Sequence, residues 1–100
     1  MKVQGSVRRE LLSRANKTKP LVWIGKGGYE RSLGEVKRQL ESESLIKVRV
    51  LKSATLESTK EEIAAGVAAS TDSEVLEIKG MNFVLFRPKG GWKRYRGGSR

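Results

Sequence analysis

The sequence predicts an α/β protein of the two-layer α+β kind, with the element order α-β-α-β-α-β-β and a four-stranded mixed sheet. Three observations carry this prediction. Apolar residues recur at helical spacing in three separate segments, and four short apolar or alternating runs lie between and after them. Two of those runs are each followed by a helical segment and a further run, which calls for strand–helix–strand crossovers. The last two runs are separated only by Gly80-Met81, with glycine at the first loop position, which suits a type II′ hairpin turn.

Taken in order, the first helix covers Ser6 to Ala15. Val7, Leu11, Leu12 and Ala15 share its apolar face, Arg8, Arg9 and Arg14 take the other faces, and Ser6 is a candidate N-cap. Pro20 disfavours helix at Lys19, so the segment ends before the first strand, Leu21 to Ile24. A second helix is expected from Glu30 or Arg31 to Glu41, with Leu33, Val36 and Leu40 as its buried stripe and Tyr29 leading in. Gly34 inside it costs about 1 kcal/mol relative to Ala, which predicts a close packing contact there.

Leu45 to Leu51 alternates cleanly, with Ile46, Val48 and Val50 on one face and Lys47 and Arg49 on the other. The third helix is announced by two overlapping capping-box patterns, Ser58 with Glu61 and Thr59 with Glu62. Its body, Ile63 to Ala69, is built of small residues and suits close approach to a sheet. Glu74 to Lys79 and Asn82 to Arg87 complete the strands. Residues 1–88 thus read as one domain, and 89–100 as a basic, flexible tail without apolar periodicity.

Composition narrows the chemistry. One hundred residues suffice for a single core. No apolar run approaches the ~18 residues of a membrane helix, and the N-terminus lacks the apolar stretch of a secretory signal, so the expected location is the cytoplasm. Cysteine and histidine are both absent, which removes disulfides, thiol catalysis, the commonest general base and the usual zinc ligands. No acidic cluster suggests a metal, no cofactor is expected, and the chain does not read as an enzyme.

Charge says more. Lys and Arg number 21 against 11 Asp and Glu, a net of +10. Residues 1–26 carry seven basic and one acidic side chain, 87–100 carry six and none, and 27–86 carry eight and ten. Solubility does not require such segregation at both ends of a near-neutral centre. A polyanionic partner does, and nucleic acid leads the candidates.

The segment Leu21-Val22-Trp23-Ile24-Gly25-Lys26-Gly27-Gly28 places three glycines and a lysine between a strand and a helix. Unpaired amides at such a helix start favour an anion, phosphate above all, and Lys26 adds a mobile charge. The same glycines equally suit a plain tight turn. Lys26 is followed by Gly27 where a Walker A loop needs a hydroxyl, and residues 25–30 end in Glu30 where a dinucleotide fingerprint needs glycine.

With the loop so placed, VRRELLSRANKTKPLVWIGKGG, LGEVKRQLESESLIKVRVL and GMNFVLFRP together resemble the CRM domain family, whose stand-alone prokaryotic members are the YhbY-type proteins. The resemblance runs from Val7 to Pro88. It implies a fold similar to the C-terminal domain of bacterial translation initiation factor three, and RNA binding through a Gly-x-x-Gly loop. Stand-alone members are associated with precursors of the large ribosomal subunit. Gly25, Lys26, Gly27 and Gly28 match the family's loop, and Arg87 its recurring arginine at the end of the last strand. Met81 stands where members often carry histidine, and Phe86 where they often carry tyrosine before that arginine. No role of that imidazole or hydroxyl transfers.

Further contacts are expected around these. Arg31 stands at the start of the second helix, and Arg8, Arg9 and Arg14 with Lys17 and Lys19 extend a positive stripe towards Lys26. Lys47 and Arg49, with Arg87 beside them, read rather as a solvent-exposed strand face balanced by Glu77. In the tail, Trp92 and Tyr95 alternate with Lys93, Arg94 and Arg96, a pattern suited to unpaired bases; the alternative is that Trp92 folds back as a clamp. Trp23 reads as core or as a sheet-face anchor. The expected function is a non-catalytic, monomeric RNA-binding protein assisting large-subunit assembly. A DNA-compacting architectural protein is the alternative, and a phosphate-handling enzyme is disfavoured for want of His, Cys and paired carboxylates.

Overall fold

The computed structural model describes residues 2–95. Its helices are α1 (Gly5–Ala15), α2 (Leu33–Glu43) and α3 (Lys60–Thr71), and its strands are β1 (Val22–Ile24), β2 (Leu45–Val50), β3 (Glu74–Lys79) and β4 (Asn82–Phe86). The sheet order is β1-β2-β4-β3. β1 is parallel to β2, while β2–β4 and β3–β4 are antiparallel. The expected element order and mixed sheet are therefore present.

The layering differs from the expected two layers. Both crossovers, β1-α2-β2 and β2-α3-β3, step in the same direction along the sheet, so their right-handedness places α2 and α3 on one face. There Val36, Leu40, Ile63, Ala64 and Val67 pack on Val22, Ile24, Ile46, Val48, Val50, Phe83 and Leu85. α1 belongs to no crossover and takes the opposite face. Its Leu11, Leu12 and Ala15 join Val3 against Leu76, Val84 and Phe86. Consequently four successive residues of β4, Phe83 to Phe86, are buried, as expected of a strand covered on both sides.

Smaller differences concern ends and glycines. α1 starts one residue before Ser6, because Arg8 N–H already bonds Gln4 O at 2.8 Å; Gln4 is the N-cap and Ser6 lies inside the helix. The chain enters α2 through a 3₁₀ turn, Glu30–Ser32, rather than directly. Of the two capping boxes, α3 uses Thr59 with Glu62: Glu62 N–H donates to Thr59 Oγ1 at 3.1 Å, and Thr59 N–H to Glu62 Oε1 at 2.9 Å. A second 3₁₀ segment, Lys52–Leu56, follows β2, an element that no periodicity or capping pattern announces. A Cβ on Gly34 would meet nothing within 4 Å, so the close packing expected there is absent; it occurs instead at Gly66 in α3.

Residues after Pro88 do not run off as a tail at Trp92. A 3₁₀ turn, Trp92–Arg94, returns the chain to the domain. Trp92 Nε1 donates to Asp72 O at 2.8 Å, and its ring meets Phe86 and Tyr95 edge-on at 5.9 and 5.3 Å. Lys2 Nζ lies 4.8 Å from the same ring. The physical reason is that Phe86, at the sheet end, leaves an apolar edge that α1 alone does not cover. Arg96 lies outside the described residues.

Candidate functional site

The glycine loop leaves β1 at Ile24, whose carbonyl accepts Leu51 N–H at 2.8 Å. Gly27 and Gly28 both have positive φ, +100° and +90°, so two successive residues adopt backbone that L side chains rarely take. This turns the chain through the loop and leaves exposed Lys26 at its tip. Arg31 folds back over Gly27, close enough that a Cβ there would lie 3.4 Å from Nη1. Glu30 takes the other side, where a Cβ on Gly28 would fall 2.6 Å from its carboxylate oxygen. The loop thus carries two cations and one carboxylate.

Beside it opens a cleft of about 400 Å³, lined among others by Lys26, Gly28, Tyr29, Ser53, Ser58 and Ile63. Its far wall is the 3₁₀ segment after β2, which carries Ser53, together with the residues leading into α3, which carry Ser58. Tyr29 closes the floor by lying on the bare backbone of Gly66. Ser32, the N-cap of α2, makes no side-chain cap bond; the preceding 3₁₀ turn takes up the entry amides instead, with Ser32 N–H donating to Tyr29 O at 2.9 Å and Leu33 N–H to Glu30 O. In the first turn of α2, Glu35 accepts from Gln39 Nε2 at 2.9 Å and pairs with Arg38, and these partners hold its carboxyl below the usual range, the Gln39 bond contributing most. The cleft can take a small anion at its mouth, with hydroxyls opposite.

The structure brings together Gly25, Lys26, Gly27, Gly28 and Arg31. The other expected contacts lie elsewhere. Arg8 donates from Nε to Leu76 O at 2.9 Å and is tied to the β3 side of the sheet, while Arg9 and Arg14 are exposed on α1. Lys19 precedes β1 and Lys26 follows it, so the two bracket the edge strand. Arg87 faces Asp72, with Nε 3.9 Å from Oδ2, and its own N–H bonds Ser44 O at 2.9 Å. That puts Arg87 at the opposite end of β2 from the loop, on the order of 15–20 Å away along the strand. Lys93 and Arg94 are exposed at that same end, beside the half-buried rings of Trp92 and Tyr95. Burial raises the Tyr95 phenol above its ordinary value. Lys26 and Arg31 thus lie at one end of the sheet and Arg87, Lys93 and Arg94 at the other.

Trp23, expected as core or as a sheet-face anchor, is 54% exposed. The signal was present in the strand: Val22 and Ile24 flank it and are buried on the α2/α3 face, so alternation turns Trp23 to the other one. Among the described residues there is no cluster of His, Cys, Asp or Glu suited to a metal ion, and no helix long and apolar enough to cross a membrane.

A family model of the CRS1 / YhbY (CRM) domain matches residues 4–87. "Probable RNA-binding protein MJ0652" of Methanocaldococcus jannaschii is 45% identical over 94 residues, covering 94% of this chain and 70% of that protein. "Probable RNA-binding protein YqeI" of Bacillus subtilis is 30% identical over 84 residues, covering 83% and 85%. The solution structure of the hypothetical protein SAV1595 from Staphylococcus aureus superposes with a TM-score of 0.73 at 33% identity, covering 87% of this chain and 90% of that one.

Proposed function

The chain belongs to the CRS1/YhbY (CRM) domain family, and from that premise we propose that it binds RNA through the loop Gly25–Gly28 and acts without catalysis. The observation that carries this reading is the pair of positive-φ glycines beside exposed Lys26 at the mouth of the cleft. Without Cβ atoms at 27 and 28, a phosphodiester reaches the loop amides directly. Lys26 follows it as a mobile charge, and Arg31 supplies planar donors from the other side of Gly27. The names of the two curated relatives support RNA as the partner.

In its finer form the proposal is a monomeric cytoplasmic protein that binds ribosomal RNA and assists large-subunit assembly. The resemblance of the whole domain to the YhbY type supports this. The basic regions at both ends of the sheet add phosphate contacts that carry no sequence information. With roughly four to eight phosphates neutralised, affinity falls by orders of magnitude between low and moderately high salt.

Crosslinking in cells followed by sequencing of the attached RNA tests the reading. Large-subunit ribosomal RNA is the expected product, and recovery of transfer or intron RNA would replace that target with another. In vitro, tighter binding of duplex DNA than of structured RNA at matched salt would favour an architectural DNA-binding role instead.

A further inference from the structure

α1 covers only part of the sheet face it packs on. It rests on Leu76, Val84 and Phe86, and leaves open the residues nearest the β3–β4 hairpin. One cross-strand row there spans all four strands: Trp23 stands opposite Arg49, Arg49 opposite Asn82, and Asn82 opposite Lys79. Partners in register share a face, so these four side chains form one line across the sheet. Trp23, Arg49 and Lys79 are exposed and Asn82 is half-buried. Behind the row a depression of about 370 Å³ is lined by Asn16, Lys47, Lys79 and Asn82, with Glu77 as its carboxylate.

An uncovered indole on an edge strand gives up apolar burial that a smaller side chain would not have to forgo. Its neighbours identify what covers it. Lys47, Arg49 and Lys79 stand around one carboxylate, Glu77, so the surround is cationic and favours an anionic partner over a basic one. Two strand spacings from Trp23 lies Asn82, a side chain able to bond a base edge. The loop that carries Lys26 begins two residues after Trp23, so the row adjoins the loop at the end of the edge strand.

We propose that this row is a platform for unpaired bases of RNA, with one base stacked on Trp23 and with Arg49 and Lys79 meeting the adjoining phosphates. The inference rests on the RNA-binding reading above and adds to it the preferred form of the substrate: single-stranded, or looped out of a duplex. Bases inside a duplex offer no free face to an indole. Stacking tolerates any base, so the platform contributes affinity for open strands without sequence preference.

The test compares wild type, Trp23→Leu and Trp23→Phe on a 12-nucleotide oligo(A) and on a duplex RNA of equal length, with tryptophan fluorescence read alongside. Wild type is expected to bind oligo(A) with quenching. Trp23→Leu should lose about tenfold or more in affinity for it, and little for the duplex. Trp23→Phe, which keeps an aromatic face, should stay within a few-fold of wild type. Equal affinities for all three proteins, or equal losses in Leu and Phe, would overturn the platform while leaving the loop's role intact. Failure of wild type to bind either RNA would instead overturn the RNA-binding reading itself.

Discussion

The Tyr29 ring lies on the α-carbon of Gly66: a Cβ at that position would fall 2.6 Å from the phenol Cζ and 2.9 Å from Cε2. This contact joins the exit of the glycine loop to the middle of α3. It explains why a glycine stands inside a helix otherwise rich in alanine. Helix propensity alone makes Gly66→Ala stabilising by up to ~1 kcal/mol. Steric conflict with a ring held between two elements costs about 1–3 kcal/mol and wins. Gly66→Ala is therefore expected to lower the urea midpoint, whereas Gly34→Ala in α2, where a Cβ would meet nothing within 4 Å, should raise it. The opposite signs for two glycine substitutions in helices make the comparison decisive.

Lys26→Ala removes the charge at the loop tip and leaves the backbone of Gly27 and Gly28 untouched. Circular dichroism should be unchanged. RNA affinity should fall about uniformly across sequences, and the dependence of log affinity on log salt should lessen by about one unit. An unchanged slope and affinity would reduce the loop to a turn.

Glu30 sets its carboxylate beside Gly28, where a phosphate would otherwise approach. Glu30→Gln keeps the shape and removes the repulsion. A surface charge interaction of this kind is worth roughly 0.3–1 kcal/mol, so RNA should bind about two- to fivefold more tightly at low salt. The gain should shrink as salt rises, and filter-binding titrations at two ionic strengths would detect it. A weaker complex would show that Glu30 holds the loop rather than obstructs it.

Trp92→Ala tests the return of the chain onto the sheet end. It removes two edge-on ring contacts and the indole bond to Asp72 O. Aromatic pairs are worth about 0.5–1.5 kcal/mol each beyond burial, so a loss of about 2–3 kcal/mol in unfolding free energy is expected. RNA affinity at temperatures where the variant stays folded should change little. A large loss of affinity with stability intact would return Trp92 to the contact surface.

Patterns of period 2 and 3.6 were enough to place the three helices and four strands, because each pattern reports a local backbone with one apolar face. Capping chemistry at Thr59 and the hairpin at Gly80-Met81 were likewise local. The loop residues 25–28 were legible for the same reason. Gly34 and Gly66 were not: helical glycine signals a close approach only if something approaches, and Tyr29 reaches only one of them.

The element order, the mixed sheet, the basic ends of the chain and the family resemblance were determined by the sequence by itself. Which face each helix covers, and hence which aromatic side chain meets solvent, was decided by the tertiary structure. Trp92 sits among cations in a segment without periodicity, yet Phe86 leaves an apolar edge that draws it in. Trp23 sits in the most apolar run of the first forty residues, yet strand alternation turns it to the face that α1 only partly covers. Burial depends on what packs opposite a residue, and that is a property of the assembled layers rather than of the neighbours in sequence.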